Sequence, residues 1–162
     1  CYQLIENHND FSETVLIGLQ PRGVFVAQRI HERLEKLTGS KIELGWLDIT
    51  FNRDDHRRHE IPLIPSANKM DFLVEGKKVV MIDDVLFSGR TIRAGMDALM
   101  AFGRPSVIEL VALIDRRFSR QLPIEPNYVG VRIDTIVSER VEVALKESGG
   151  NDTVKLYSPE QE

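Results

Sequence analysis

Residues 79–91 read Val-Val-Met-Ile-Asp-Asp-Val-Leu-Phe-Ser-Gly-Arg-Thr, and no other stretch of the chain narrows the choice of fold so far. Residues 79–82 are all apolar, the pattern of a strand buried on both faces rather than one. Two adjacent carboxylates, Asp83 and Asp84, stand at its C-terminal end. A loop with Ser88, Gly89 and Thr91 follows, and then a helical pattern begins. In an open parallel sheet the carboxyl ends of the strands are where ligands bind. The loop–helix junction offers free backbone N–H groups and the positive end of a helix dipole, which suit a phosphate. Gly89 lets the backbone approach it, and the hydroxyls of Ser88 and Thr91 add donors. The acid pair suits two sugar hydroxyls, and a Mg2+ riding on the same ligand would be drawn there. Helix capping by Ser88 or Thr91 explains the turn but leaves the two acids without a purpose. A receiver domain of the response-regulator type also carries acid pairs, but after its first strand. Here about eighty residues come first.

The rest of the chain repeats the strand–loop–helix theme. Residues 14–19 form a second buried apolar run. Pro21, Arg22 and Gly23 then make a tight loop, and apolar residues at Val24, Ala27, Ile30, Leu34 and Leu37 have helical spacing. Gly39 is suited to close that helix. Residues 41–49 have strand character, with Ile42, Leu44 and Trp46 in alternation. Residues 50–60 are strongly charged, Pro62 and Pro65 follow, and apolar order returns fully only at Lys78. A stretch of that length without a period is usually either functional or disordered. It reads as a hairpin lid, with Arg53, Arg57 and Arg58 as candidates to meet an anion; a solvated charge run is the plainer alternative. His56 and His59 lack a third ligand for a metal. After the phosphate loop, Ile92, Met96 and Leu99 share a helix face. Residues 107–114 form another buried strand, and 115–123 leave it as a basic loop. Short strands over 127–133, 141–145 and 153–157 complete the chain. Strands alternating with helices make an α/β fold with a mainly parallel sheet flanked by helices.

Composition sets the remaining bounds. The 162 residues suffice for one domain with a substantial core, and 1–162 reads as that single domain. The only cysteine is Cys1, so no internal disulfide forms, which points to a reducing compartment, the cytoplasm. No apolar run approaches the ~20 residues of a membrane span. A start at Cys1 suggests that residues precede it. The net charge of −4 gives no general pull toward nucleic acid.

The run from Asp83 and Asp84 through Val85, Leu86, Phe87, Ser88, Gly89, Arg90 and Thr91 resembles the phosphoribosyl-pyrophosphate (PRPP) motif of type I phosphoribosyltransferases. It most resembles that of the bacterial PyrR proteins, which combine pyrimidine-operon regulation with uracil phosphoribosyltransferase activity. The resemblance covers nearly the whole chain. It implies the reaction of uracil with PRPP to give UMP and diphosphate, with Mg2+ held mainly by PRPP near Asp83 and Asp84. It implies that Pro21, Arg22 and Gly23 form the diphosphate loop, that the Pro21–Arg22 peptide is cis, and that the lid brings Arg53 to the same diphosphate. A small hood over the base, from the last strands, and a homodimer or higher homo-oligomer are implied as well. Purine enzymes with this loop commonly carry an Asp at the position of Phe87, so Phe87 favours a pyrimidine; orotate stays open beside uracil. The family's RNA function implies a basic face for the pyrimidine-operon mRNA leader, with Arg29, Arg116, Arg117 and Arg120 as candidates. An RNA-binding attenuator that uses the PRPP site only as a sensor is the alternative. Glu125 and Val137 stand where the family places cations, and residues 116–120 are longer than the family's run.

Overall fold

The computed structural model describes residues 1–52 and 67–158. A short helix α1 (Tyr2–His8) leads into β1 (Thr14–Leu19), α2 (Gly23–Thr38) and β2 (Glu43–Leu47). After residues 53–66 come β3 (Lys78–Leu86), α3 (Arg90–Leu99) and β4 (Val107–Arg117). The chain closes with β5 (Tyr128–Asp134), β6 (Arg140–Ala144) and β7 (Thr153–Tyr157). Strands β2-β1-β3-β4-β5 form one sheet, and all four pairings in it are parallel. Strands β6 and β7 make a separate antiparallel ribbon.

The apolar runs are continuous because the sheet is covered on both faces. Side chains alternate across a strand, and β1 shows the result. Val15, Ile17 and Leu19 face one core with Met81, Leu110 and α3. Leu16 faces the other core with Val80, Ile82, Val111, and Val26, Ala27 and Leu34 of α2. Burying each such side chain contributes about 1.5–3 kcal/mol relative to exposure. The ribbon shares the second core through Val143, and Leu145 just beyond β6 joins it.

The expected order of elements is present, and α2 ends at Gly39, whose N–H bonds the Glu35 carbonyl at 2.9 Å. Four details differ. Strand β3 does not stop at residue 82; it runs to Leu86, so the acid pair lies inside the strand, with Asp83 opposite Ala112 of β4. Likewise Asp115, Arg116 and Arg117 belong to β4 rather than to a loop, because β5 continues alongside them to Asp134. Strand β2 is shorter than residues 41–49. The cis peptide is Gln20–Pro21, not Pro21–Arg22; the tertiary amide before proline cuts the preference for trans to about 0.5–1 kcal/mol, against about 2.5–4 kcal/mol before a residue such as arginine. The expected lid, with Arg53, Arg57 and Arg58, lies outside the described residues. Its return does not: Lys69 pairs antiparallel with Trp46, and Gln20 Nε2 donates to the Ala67 carbonyl at 2.9 Å.

Candidate functional site

The neighbouring strands β1 and β3 deliver two loops to the carboxyl edge of the sheet. The β1 loop ends at Arg22, which caps α2. Gly23 follows it and lies directly on β3: a Cβ there would stand 2.5 Å from the Ile82 carbonyl oxygen and 3.2 Å from Asp83 Oδ1. Only a residue without a side chain lets the two segments meet. Their contact brings Arg22 Nε to 2.6 Å from Asp84 Oδ2.

Both acids are buried. Each carboxylate accepts from the next backbone N–H: Asp83 Oδ1 from Asp84, and Asp84 Oδ1 from Val85, both at 2.9 Å. Asp84 Oδ2 is buried and receives no hydrogen bond, despite the nearby guanidinium. The two observations agree if the Arg22 N–H is not aimed at the oxygen: the pair is Coulombic, and a lone pair of Asp84 remains unused. Burial pushes the Asp83 carboxyl well above the usual carboxylate range; the charge of Asp84 adds to this, and that of Arg22 opposes it. A buried acid pair that does not readily hold two negative charges suits a cationic or hydroxylic ligand.

The β3 loop supplies the rest. A cavity of about 330 Å³ is lined by Asp83, the loop residues Phe87, Ser88 and Gly89, the first turn of α3 with Thr91, and Gln121. Gly89 caps α3 with φ 91°, a conformation that favours glycine. Ser88 Oγ accepts weakly from the Arg90 N–H, at 3.3 Å. Among the described residues the N–H groups of Ser88 and Gly89 donate to no protein acceptor. The arrangement is a helix N-terminus with unspent donors beside two acids, a geometry suited to an anion at one end and hydroxyls at the other.

Residues 120–124 were not legible as part of this site. Gln121 takes a hydrogen bond from Arg90 Nε at 2.7 Å, and the N–H groups of Gln121 and Leu122 both donate to the Ser88 carbonyl. Nothing near Gln121 in sequence marks it; it reaches the site only because β4 carries the chain back beside β3.

The four arginines considered for a basic face are dispersed and engaged. Arg29 bonds Glu147 and Asp152 through four contacts of 2.6–3.0 Å, tying α2 to the β6–β7 turn. Arg117 pairs with Asp134 at 2.6 Å. Arg116 is buried, which overturns its place on a surface. Its guanidinium stacks 4.0 Å from the Phe87 ring and donates to Thr135 Oγ1 and to the carbonyls of Ile136 and Glu139. Arg120 donates to the Phe87 carbonyl and pairs with Asp115 at 2.5 Å.

A divalent cation is implied by the resemblance, and the residues suit one of a particular kind. No group of three or more metal-ligating side chains exists among the described residues. The unused oxygen of Asp84 beside Asp83 fits a Mg2+ that takes most of its ligands from phosphate and water.

The phosphoribosyl transferase domain family matches residues 1–148. The chain is 43% identical over 162 residues to Bifunctional protein PyrR 1 of Lactiplantibacillus plantarum, covering 99% of this chain and 89% of that one. It is 43% identical over 159 residues to Bifunctional protein PyrR of Bacillus mycoides, covering 96% and 87%. Among solved structures, the hypoxanthine phosphoribosyltransferase of Trypanosoma cruzi with IMP superposes with a TM-score of 0.63 at 16% identity, covering 82% of this chain and 71% of that one. The purine phosphoribosyltransferase of Pyrococcus horikoshii gives 0.58 at 23% identity, covering 82% and 80%. At these identities the structural matches speak to the fold alone.

Proposed function

The chain belongs to the PyrR family of phosphoribosyltransferases, and from that premise we propose that it transfers the phosphoribosyl group of PRPP to uracil, giving UMP and diphosphate. The bond from the anomeric carbon to diphosphate breaks, and its electron pair leaves with diphosphate. A ring nitrogen of uracil forms the new bond and releases its proton to solvent. The observation that carries the reading is the buried Asp83–Asp84 pair, with Arg22 at 2.6 Å, beside a cavity rimmed by a helix N-terminus.

Each part of the site has a task in that reaction. The loop from Leu86 to Thr91 anchors the 5′-phosphate with backbone N–H groups and hydroxyls. Asp83 and Asp84 accept from the ribose hydroxyls. Arg22 lies where negative charge grows on the departing diphosphate, and preorganised charge of that sort lowers the barrier most. Arg53 is proposed to join it from the segment outside the described residues. Mg2+ bound with PRPP neutralises part of the diphosphate charge. Phe87 cannot accept a proton from a base, and Arg116 covers its ring; this favours a pyrimidine over a purine.

Formation of UMP from uracil and Mg-PRPP tests the reading, with orotate, hypoxanthine and xanthine as competing bases. Uracil should be the preferred acceptor. Turnover of orotate or hypoxanthine in its place overturns it. That the relatives are named bifunctional supports a second activity beside transfer, the binding of a pyrimidine-operon mRNA leader by a homo-oligomer, which the engaged arginines of this chain leave weak or altered in specificity.

A further inference from the structure

An anion-binding loop must do two things with each peptide. It must turn the N–H toward the ligand, and it must give the carbonyl another partner. A trans peptide is planar, with its C=O and N–H pointing in opposite directions. Fixing the carbonyl on the outside therefore fixes the N–H on the inside.

Two consecutive peptides of the phosphate loop are pinned in this way from one segment. The Phe87 carbonyl accepts from Arg120 Nη1, which sets the N–H of Ser88. The Ser88 carbonyl accepts from the N–H groups of Gln121 and Leu122, at 3.0 and 3.1 Å, which sets the N–H of Gly89. Neither of those N–H groups has a protein acceptor among the described residues. Arg120 is itself fixed: its other terminal nitrogen pairs with Asp115, which is buried at the end of β4.

We propose that Arg120 is a positioning residue for the phosphate loop, holding the Phe87–Ser88 peptide so that its N–H faces the 5′-phosphate. Arg120 does not touch the ligand; it acts through Phe87. The inference rests on the reading that the cavity takes a phosphate.

The test compares binding of UMP and of uridine, which differ only in the phosphate. Arg120→Ala should weaken UMP by about tenfold or more, the loss expected when one charge-assisted contact is misplaced, while uridine binds as before. The amide resonances of Ser88 and Gly89, which should move strongly when UMP is added to the wild-type protein, should move little in the variant. Equal loss for UMP and uridine, or unchanged UMP affinity, overturns the proposal. Arg120→Lys decides the matter if the alanine variant does not fold. Its single ammonium keeps the charge but cannot reach Phe87 and Asp115 with the same fork, so UMP should still weaken selectively; wild-type UMP affinity in that variant overturns the brace. Turnover is not part of this comparison. A wild-type protein that binds UMP better than uridine but does not use uracil loses the proposed reaction and keeps the brace. A wild-type protein that binds both equally loses the phosphate reading and the brace together.

Discussion

At Asp84 one buried carboxylate oxygen has a charge nearby but no hydrogen bond, and this residue bears most directly on ligand binding. Asp84→Asn keeps the shape and removes the charge. Affinity for Mg-PRPP, measured by calorimetric titration, should fall by about 1.5–3 kcal/mol, the range for a hydrogen bond to a charged group. Unchanged affinity in both Asp84→Asn and Asp83→Asn would remove the ribose-holding role. Asp83 carries a separate expectation about pH. Its carboxyl is raised by burial, so the folded state keeps a proton that the unfolded chain loses near about pH 4. Stability from this group is fully present below that ordinary value and is lost as pH rises toward the raised one. Asp83→Asn cannot lose a proton. In thermal unfolding the wild type should therefore lose ground to Asp83→Asn as pH climbs from about 4 toward neutrality. Parallel curves for the two proteins would mean that Asp83 is ionised throughout.

Among the elements, the approach of α2 to β3 sets the distance between the two ligand loops. Gly23→Ala tests it. Alanine is the better helix former by about 1 kcal/mol, but its Cβ would lie 2.5 Å from a carbonyl oxygen of β3, and backbone there has nowhere to go. Overpacking of this kind costs about 1–3 kcal/mol, so the clash outweighs the propensity. The melting temperature should fall and PRPP affinity with it; a rise in melting temperature would show that the helix can shift freely. The elements also show what could be read in advance. Strands β1 and β3 and helix α2 were legible because two-sided burial writes continuous apolar runs, and helical spacing is equally plain. The ends of β3 and β4 were not, because Asp83, Asp84, Asp115 and Arg116 look like loop residues. They sit in strands because their charges are met by groups far along the chain: Arg22 for Asp84, and residues 135–139 for Arg116. The acid pair, the glycine loop and Arg22 were readable from residue chemistry. Gln121 and the contacts of Arg120 were not, since both depend on strand pairing alone.

At the scale of the molecule, the four described arginines that would form a basic face are poorly placed for strong nucleic-acid binding. RNA affinity grows with the number of cations free to displace counterions. Arg116 is internal, Arg120 is turned to Phe87 and Asp115, and Arg29 and Arg117 each face acids. With a net charge of −4 there is no general attraction to compensate. Filter binding to the pyrimidine-operon leader at ~0.15 M salt, with and without UMP, should therefore show RNA affinity that is weak or of altered specificity. Nanomolar, UMP-enhanced binding would contradict this. The strand order carries a consequence of another kind, for the order of events when the chain is made. β1 is buried along its whole length, and β3 is one of its two neighbours. Yet β3 emerges from synthesis about sixty residues later, after α2 and β2. Until then one long edge of β1 is unpaired and both apolar faces are only partly covered. A nascent chain halted between β2 and β3 would be a sticky, template-like species, and the same delay means that the loop carrying Arg22 waits, already synthesised, for the acids it meets.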